Sequence, residues 1–134
     1  MKNQKGTKIT YWVTTIIIAV FELSGSFFLN SEMAKAGTQH LMLPMWFHWE
    51  VGIGHVIGGV LLLIPVPKRL KEWTYVAFGI DFISAFIAYA AVDGMTVSLL
   101  SPVLFMVILV ISYVTYHKLH GQDRFPVIVN HGGE

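Results

Sequence analysis

The sequence contains no cysteine. Disulfides, thiol redox chemistry and thiolate metal sites are therefore excluded within the chain, and a redox role would have to draw on a bound cofactor, a quinone or a partner subunit. Charge is scarce as well. Asp, Glu, Lys and Arg make up 13% of the 134 residues, roughly half the share usual in soluble domains, so most of the surface does not face water. Neither sign of charge dominates. The formal net charge is +1, which gives no polyanion-binding signal and argues against a nucleic-acid partner. Hydrophobic residues, 54% of the chain, fill the sequence instead, and they are gathered in long runs.

A bilayer core of about 30 Å is crossed by about 20 apolar residues in a helix. Four runs reach that length, at about 9–29, 43–64, 73–92 and 97–116. Backbone polar groups in lipid must pair within their own segment, so each run reads as a helix. Pro65 and Pro67 close the second run, because proline cannot continue a helix beyond its first turn. Asp93-Gly94 marks a tight turn before the fourth. Short connections favour antiparallel neighbours. The expected fold is an all-α integral membrane bundle of four helices running up-down-up-down, one domain covering residues 1–120. The longest connection, residues 30–42, reads as a loop, and residues 121–134 read as a mobile cytoplasmic tail. The start of the chain resembles a secretory signal, with Lys2, Lys5 and Lys8 ahead of an apolar run. That run is longer than the roughly 7–15 residues of a signal core, and three more spans follow, so a retained anchor is expected.

The basic residues set an orientation. Lys2, Lys5 and Lys8 precede the first span, Lys68, Arg69 and Lys71 separate the second from the third, and Lys118 and Arg124 follow the fourth. Only Lys35 falls on the opposite side. The positive-inside rule then places both termini in the cytoplasm of a multi-pass cell-membrane protein. Trp12, Trp46, Trp49 and Trp73 all lie near span ends, where interfacial aromatics belong.

Ionisable groups at membrane depth are costly, and they are the informative residues here. Glu22 lies in the first span, His48, Glu50 and His55 in the second, and Asp81 in the third. A helical rise of about 1.5 Å per residue puts Glu22, His55 and Asp81 in one mid-membrane layer. Glu50 and His48 fall nearer the outer face. Glu22 shares a helix face with Gly25 and Ser26, Glu50 with Gly54 and Gly58, and Asp81 with Ser84 and Ala85. Gly54 and Gly58 form a GxxxG element, so close packing of Gly54 and Gly58 against Gly25 and Ser26 of the first helix is expected. His48, Gly52, His55 and Gly59 make a separate stripe. His48, near the interface, is expected to reach water.

Glu22, Glu50, His55 and Asp81 are thus the candidate ligand or proton-exchange residues. Burial opposes carboxylate ionisation while a neighbouring imidazolium favours it, so such a layer could exchange a proton near neutral pH, as a quinol site or a proton-coupled carrier requires. The same acids could serve only as interhelical hydrogen-bond glue. A bis-histidine haem within one chain is disfavoured, because both histidines lie on one stripe of one helix. No metal site is expected, because no metal-ligand spacing such as Glu-x-x-His occurs among these residues. The His48–Glu50 pair lacks the cysteines of a zinc deaminase.

The sequence also resembles the DoxX-like family of small four-span membrane proteins over about residues 8–120. Phe21-Glu22-Leu23-Ser24-Gly25 is similar to that family's opening span, and Leu61-Leu62-Leu63-Ile64-Pro65 to the end of its Gly-rich second span. The best match is Arg69-Leu70-Lys71-Glu72-Trp73-Thr74-Tyr75 followed by Gly79-Ile80-Asp81, with Ser112-Tyr113 in the fourth span. Family members often carry Lys after the Ser-Gly pair and late in the second span, where this chain has Phe27-Phe28 and His55. The wider group includes the membrane subunit of a thiosulfate:quinone oxidoreductase. The resemblance therefore implies a membrane subunit or small quinone-binding protein of a redox complex, with the bilayer, redox partner subunits or further copies of itself as partners. A proton-coupled small-molecule transporter acting as an oligomer and a non-catalytic assembly protein are the alternatives.

Overall fold

The structure, a computed structural model, describes residues 2–121; the expected tail beyond Gly121 lies outside the described residues. Five α-helices follow in order: α1 (Lys2–Phe27), α2 (Glu32–His40), α3 (Met45–Leu63), α4 (Lys68–Asp93) and α5 (Leu100–His120). A single 3₁₀ turn, Val97–Leu99, leads into α5. Among the described residues there is no strand. Four of the helical stretches, Gln4–Phe27, Met45–Leu63, Lys68–Asp93 and Val97–His120, are long and apolar enough to cross a membrane. The architecture is the all-α membrane bundle expected from the four runs.

The distribution of side chains explains the choice of solvent. On α1 the face turned inward carries Tyr11, Thr14, Thr15, Ile18, Ala19 and Glu22, at helical spacings of three and four. The face turned outward carries Ile9, Val13, Ile16 and Val20, each at least 46% exposed. A water-soluble helix would reverse this pattern. Small and polar groups go inward because lipid offers aliphatic side chains as good a solvent as the core does, whereas hydroxyls and carboxylates find partners only inside. All four tryptophans are exposed, Trp12, Trp46, Trp49 and Trp73 alike.

Helix ends follow the local signals. Pro44 sits at the N-cap of α3 and Pro67 at that of α4. Gly94, with φ +72°, closes α4 in a conformation that L-residues avoid. The cut at Pro65 leaves the last carbonyls of α3 without helical partners, and Lys71 supplies them. Its Nζ donates to the carbonyls of Leu61, Leu62 and Ile64 at 2.7, 2.8 and 3.0 Å. A cation there also suits the negative end of the helix dipole.

Residues 30–42 are not a plain loop. They hold α2, whose N-cap Ser31 accepts a hydrogen bond from the Ala34 amide at 3.2 Å, with Glu32 in the first turn and His40 in the last. The nine-residue helix is too short and polar to span lipid. It folds across the loop end of the bundle, held by Thr38 to His48 and by His40 to Asp93, each pair within 2.7 Å.

The spans close a ring in which α1 packs against α3 and α5, and α4 against the same two. The α3–α4 contact is the sparsest of the four. In the half of the bundle nearer Lys8 and His120, Tyr11, Leu62, Tyr75 and Tyr116 are buried together. Thr15 and Tyr75 both hydrogen-bond Ser112, at 2.7 and 2.8 Å, which fixes the rotation of α1, α4 and α5 on one another.

The glycine packing expected from the GxxxG element needs correction. Gly25 and Gly54 have no neighbour within 4 Å of where a β-carbon would sit. Gly58 faces Phe78 of α4, not α1. The close approach of α1 to α3 uses the other stripe: Gly52 lies under the Leu29 side chain, and Gly59 under Leu23 with the Ala19 carbonyl nearby. Of the expected contacts, Ser26 does meet α3, its hydroxyl lying 3.2 Å from the Gly52 carbonyl. The physical reason is helical geometry. Gly52 and Gly59 are seven residues apart, two turns on one face, so their row stays under α1, while the Gly54–Gly58 row turns toward α4.

Candidate functional site

α1, α3 and α4 each bring one ionisable side chain to a single point. The His55 ring lies between two carboxylates, with Nδ1 2.9 Å from Glu22 Oε2 and Nε2 3.0 Å from Asp81 Oδ2. Glu22 is almost wholly enclosed, its side chain 2% exposed, while those of His55 and Asp81 are 23% and 29% exposed. The Phe78 ring backs the imidazole at 6.2 Å between centroids. Phe78 can sit there because Gly58 has no side chain: a β-carbon at Gly58 would lie 2.6 Å from Phe78 Cζ.

Proton bookkeeping follows from this geometry. Each nitrogen–oxygen contact needs one hydrogen, since two bare lone pairs would repel. The trio is therefore either an imidazolium between two carboxylates or a neutral imidazole with one carboxylic acid. The two forms differ only by the place of a proton along an N–H···O line. The two carboxylates meet opposite edges of the ring, so the trio is arranged for hydrogen bonding along a line and not around one ion.

Two recesses meet at His55. One is a cleft of ≈ 550 Å³ between α3 and α4, where Glu50, His55 and Asp81 supply polar groups and Phe47, Trp73 and Phe78 aromatic walls. The other, ≈ 280 Å³, lies between α1 and α3 beneath α2 and includes Glu22, Ser26, Thr38 and His48. Asp81 belongs to the cleft and Glu22 to the chamber beneath α2. The second carboxylate oxygen of Glu22, Oε1, is buried and has no hydrogen-bond partner. Such an atom is costly unless a ligand or water completes it.

The remaining candidates are placed apart from this point. Glu50 is exposed and lines the cleft without touching the trio. Its face with Gly54 is the wall of the cleft and not a packed helix contact. His48 is buried, at 7% exposure, so the expected access to water is corrected. Its Nε2 donates to the Leu29 carbonyl at 2.8 Å, and its Nδ1 shares a hydrogen bond with the Thr38 hydroxyl at 2.7 Å. His48 thereby ties the end of α1 and α2 to α3 as the roof of the chamber. Two contributors escaped the sequence reading. Phe78 carries no mark that separates it from other span aromatics, and Thr38 sits in the stretch read as loop.

The DoxX-like family matches residues 12–112 of the chain. That is well over half of the sequence and includes Glu22, His55 and Asp81; the chain belongs to the DoxX-like family. No curated protein and no solved structure matches it.

Proposed function

We propose that this DoxX-like membrane protein serves as a membrane subunit or small binding protein of a redox complex, holding a quinone head group in the α3–α4 cleft and exchanging protons with it. The observation that carries the reading is the imidazole clamped between two carboxylates at the meeting of two recesses. The cleft has the size and mixed lining of a small-molecule site, mostly apolar with a few convergent polar groups. A quinone ring fits between aromatic walls, and its oxygens gain or lose protons when its redox state changes. Asp81 and His55 are the groups placed to trade those protons. His55 takes a proton at Nε2 and gives one at Nδ1 to Glu22, whose Oε1 opens the line toward the chamber beneath α2. Electrons would come from a partner protein or a diffusible donor, since the chain has no thiol of its own.

A second reading, a proton-coupled small-molecule carrier acting as an oligomer, is favoured by one observation, the unpartnered buried oxygen of Glu22. Purification with native lipids followed by mass spectrometry of bound small molecules and partner chains separates these readings. A quinone retained by the wild type and lost from His55→Gln and Asp81→Asn supports the first. A stable ligand-free oligomer without partner chains supports the carrier. Partner chains with no ligand in any preparation would overturn both in favour of an assembly role.

A further inference from the structure

At the end of the bundle opposite α2 lies a recess of ≈ 730 Å³ that takes no part in the quinone reading. It is framed by the start of α1, the link between α3 and α4, and the end of α5, with Lys8, Lys68, Lys71 and His120 on its rim and walls. No carboxylate lines it among the described residues. Lys8 and Lys68 make no ion pair among those residues. Glu72, the acid nearest in sequence, turns to His117 at 3.6 Å instead. Lys71 is buried, and its hydrogens go to the α3 carbonyls, so it contributes positive charge to the recess without needing a ligand to satisfy it. Below this rim the walls become Trp12, Leu62, Leu63 and Leu119.

We propose that this recess binds the phosphate of an anionic phospholipid, with Lys8 and Lys68 on the head group and an acyl chain along the apolar wall. Charge complementarity and depth both select this occupant. The site sits where the spans end, at the level of head groups, and it changes from cationic to apolar along the direction in which a lipid does the same. Basic pockets between transmembrane helices recognise anionic head groups in this way. A soluble phosphate would use the lysines but leave the apolar wall bare, so the two sources of phosphate differ in what they need.

The test is lipid retention by the full chain in nanodiscs of mixed phosphatidylglycerol and phosphatidylcholine, read by native mass spectrometry. Wild-type protein should retain phosphatidylglycerol in preference to phosphatidylcholine. The double variant Lys8→Gln, Lys68→Gln should lose that preference by on the order of tenfold. A control variant, Lys5→Gln with Lys118→Gln, removes as much charge from the same end of the bundle but none from the recess, and should keep the preference. Equal retention of both lipids by the wild type, or an equal loss in the control, would overturn the proposal in favour of diffuse surface charge. Displacement of the lipid by inorganic phosphate alone would overturn it in favour of a soluble anion. Retention that survives inorganic phosphate and fails only with the recess variant upholds it.

Discussion

Glu22 separates structural from chemical roles more sharply than any other side chain here. One of its oxygens meets His55 and the other, buried beside the chamber under α2, has no hydrogen-bond partner. Glu22→Gln keeps the shape and the carbonyl that accepts from His55 Nδ1, but it cannot ionise. Glu22→Leu removes the partner altogether and leaves a ring nitrogen unpaired. The glutamine variant should therefore unfold within about 1 kcal/mol of wild type, and the leucine variant should lose about 1–3 kcal/mol. Denaturation in detergent micelles checks both. If Glu22 is only glue, Gln preserves whatever the protein does; the relay requires that Gln abolish proton exchange with the fold intact. Gly58 offers a second residue-scale test. Gly58→Ala sets a methyl against the buried Phe78 ring, so the ring must press on His55 or the helices must part, at a cost of about 1–3 kcal/mol. A thermal midpoint unchanged from wild type would show that α4 yields freely. The convergence of Glu22, His55 and Asp81 could be anticipated because depth along a helix is linear in sequence. The separation of Glu50 from them could not, since it depends on where α3 and α4 part.

The elements that the sequence hides are the ones that hold others in place. α2 lacks the apolar run that announces a span. Yet Ser31, Glu32 and His40 are ordinary start and stop signals, and α2 lay unrecognised because its fold depends on partners elsewhere, Thr38 on His48 and His40 on Asp93. Thr38→Val deletes the first of these, with little change in volume. It should raise amide hydrogen exchange across 32–40 while leaving α3 protected; unchanged exchange in that segment would mean that the His40–Asp93 contact alone suffices. Lys71 is the other hidden support. In the sequence it is one of three cations within four residues and reads as an orientation signal, whereas in the fold it completes the end of α3. Lys71→Met retains the apolar stem and strips three carbonyls of their donor. Unpaired backbone groups are costly where they are buried, and a loss of about 2–4 kcal/mol is expected in chemical denaturation. Arg at the same place keeps a charge and donors, so it should recover part of the loss.

At the scale of the whole molecule, the spans were legible because length and composition alone define them, and the alternation of direction follows from contacts at the two ends. The recess that joins Lys8, Pro65, Lys68 and His120 brings the start of α1, the α3–α4 link and the end of α5 to one end of the bundle. The His40–Asp93 contact brings α2 and the end of α4 to the other. An even number of crossings therefore separates Lys8 from His120, and an odd number separates Lys8 from α2. Eight of the nine Lys and Arg lie on the side of the termini by sequence, with Lys35 alone on the other. That asymmetry of Lys and Arg predicts that the termini face the cytoplasm. The absence of cysteine makes the test clean, since any thiol is one introduced on purpose. Gly37→Cys is suitable because nothing lies within 4 Å of its β-carbon position, and Lys118→Cys is suitable because that side chain is exposed. Gly121 is a poor choice, as a β-carbon there would meet the His117 carbonyl oxygen at 2.5 Å. A membrane-impermeant maleimide added to intact cells should label the first variant and reach the second only after permeabilisation. Labelling of both from outside would contradict the odd number of crossings between them. Labelling of Lys118→Cys alone would keep the bundle and reverse its orientation, which would move the chamber beneath α2, and the end of the proposed proton line, to the cytoplasmic face.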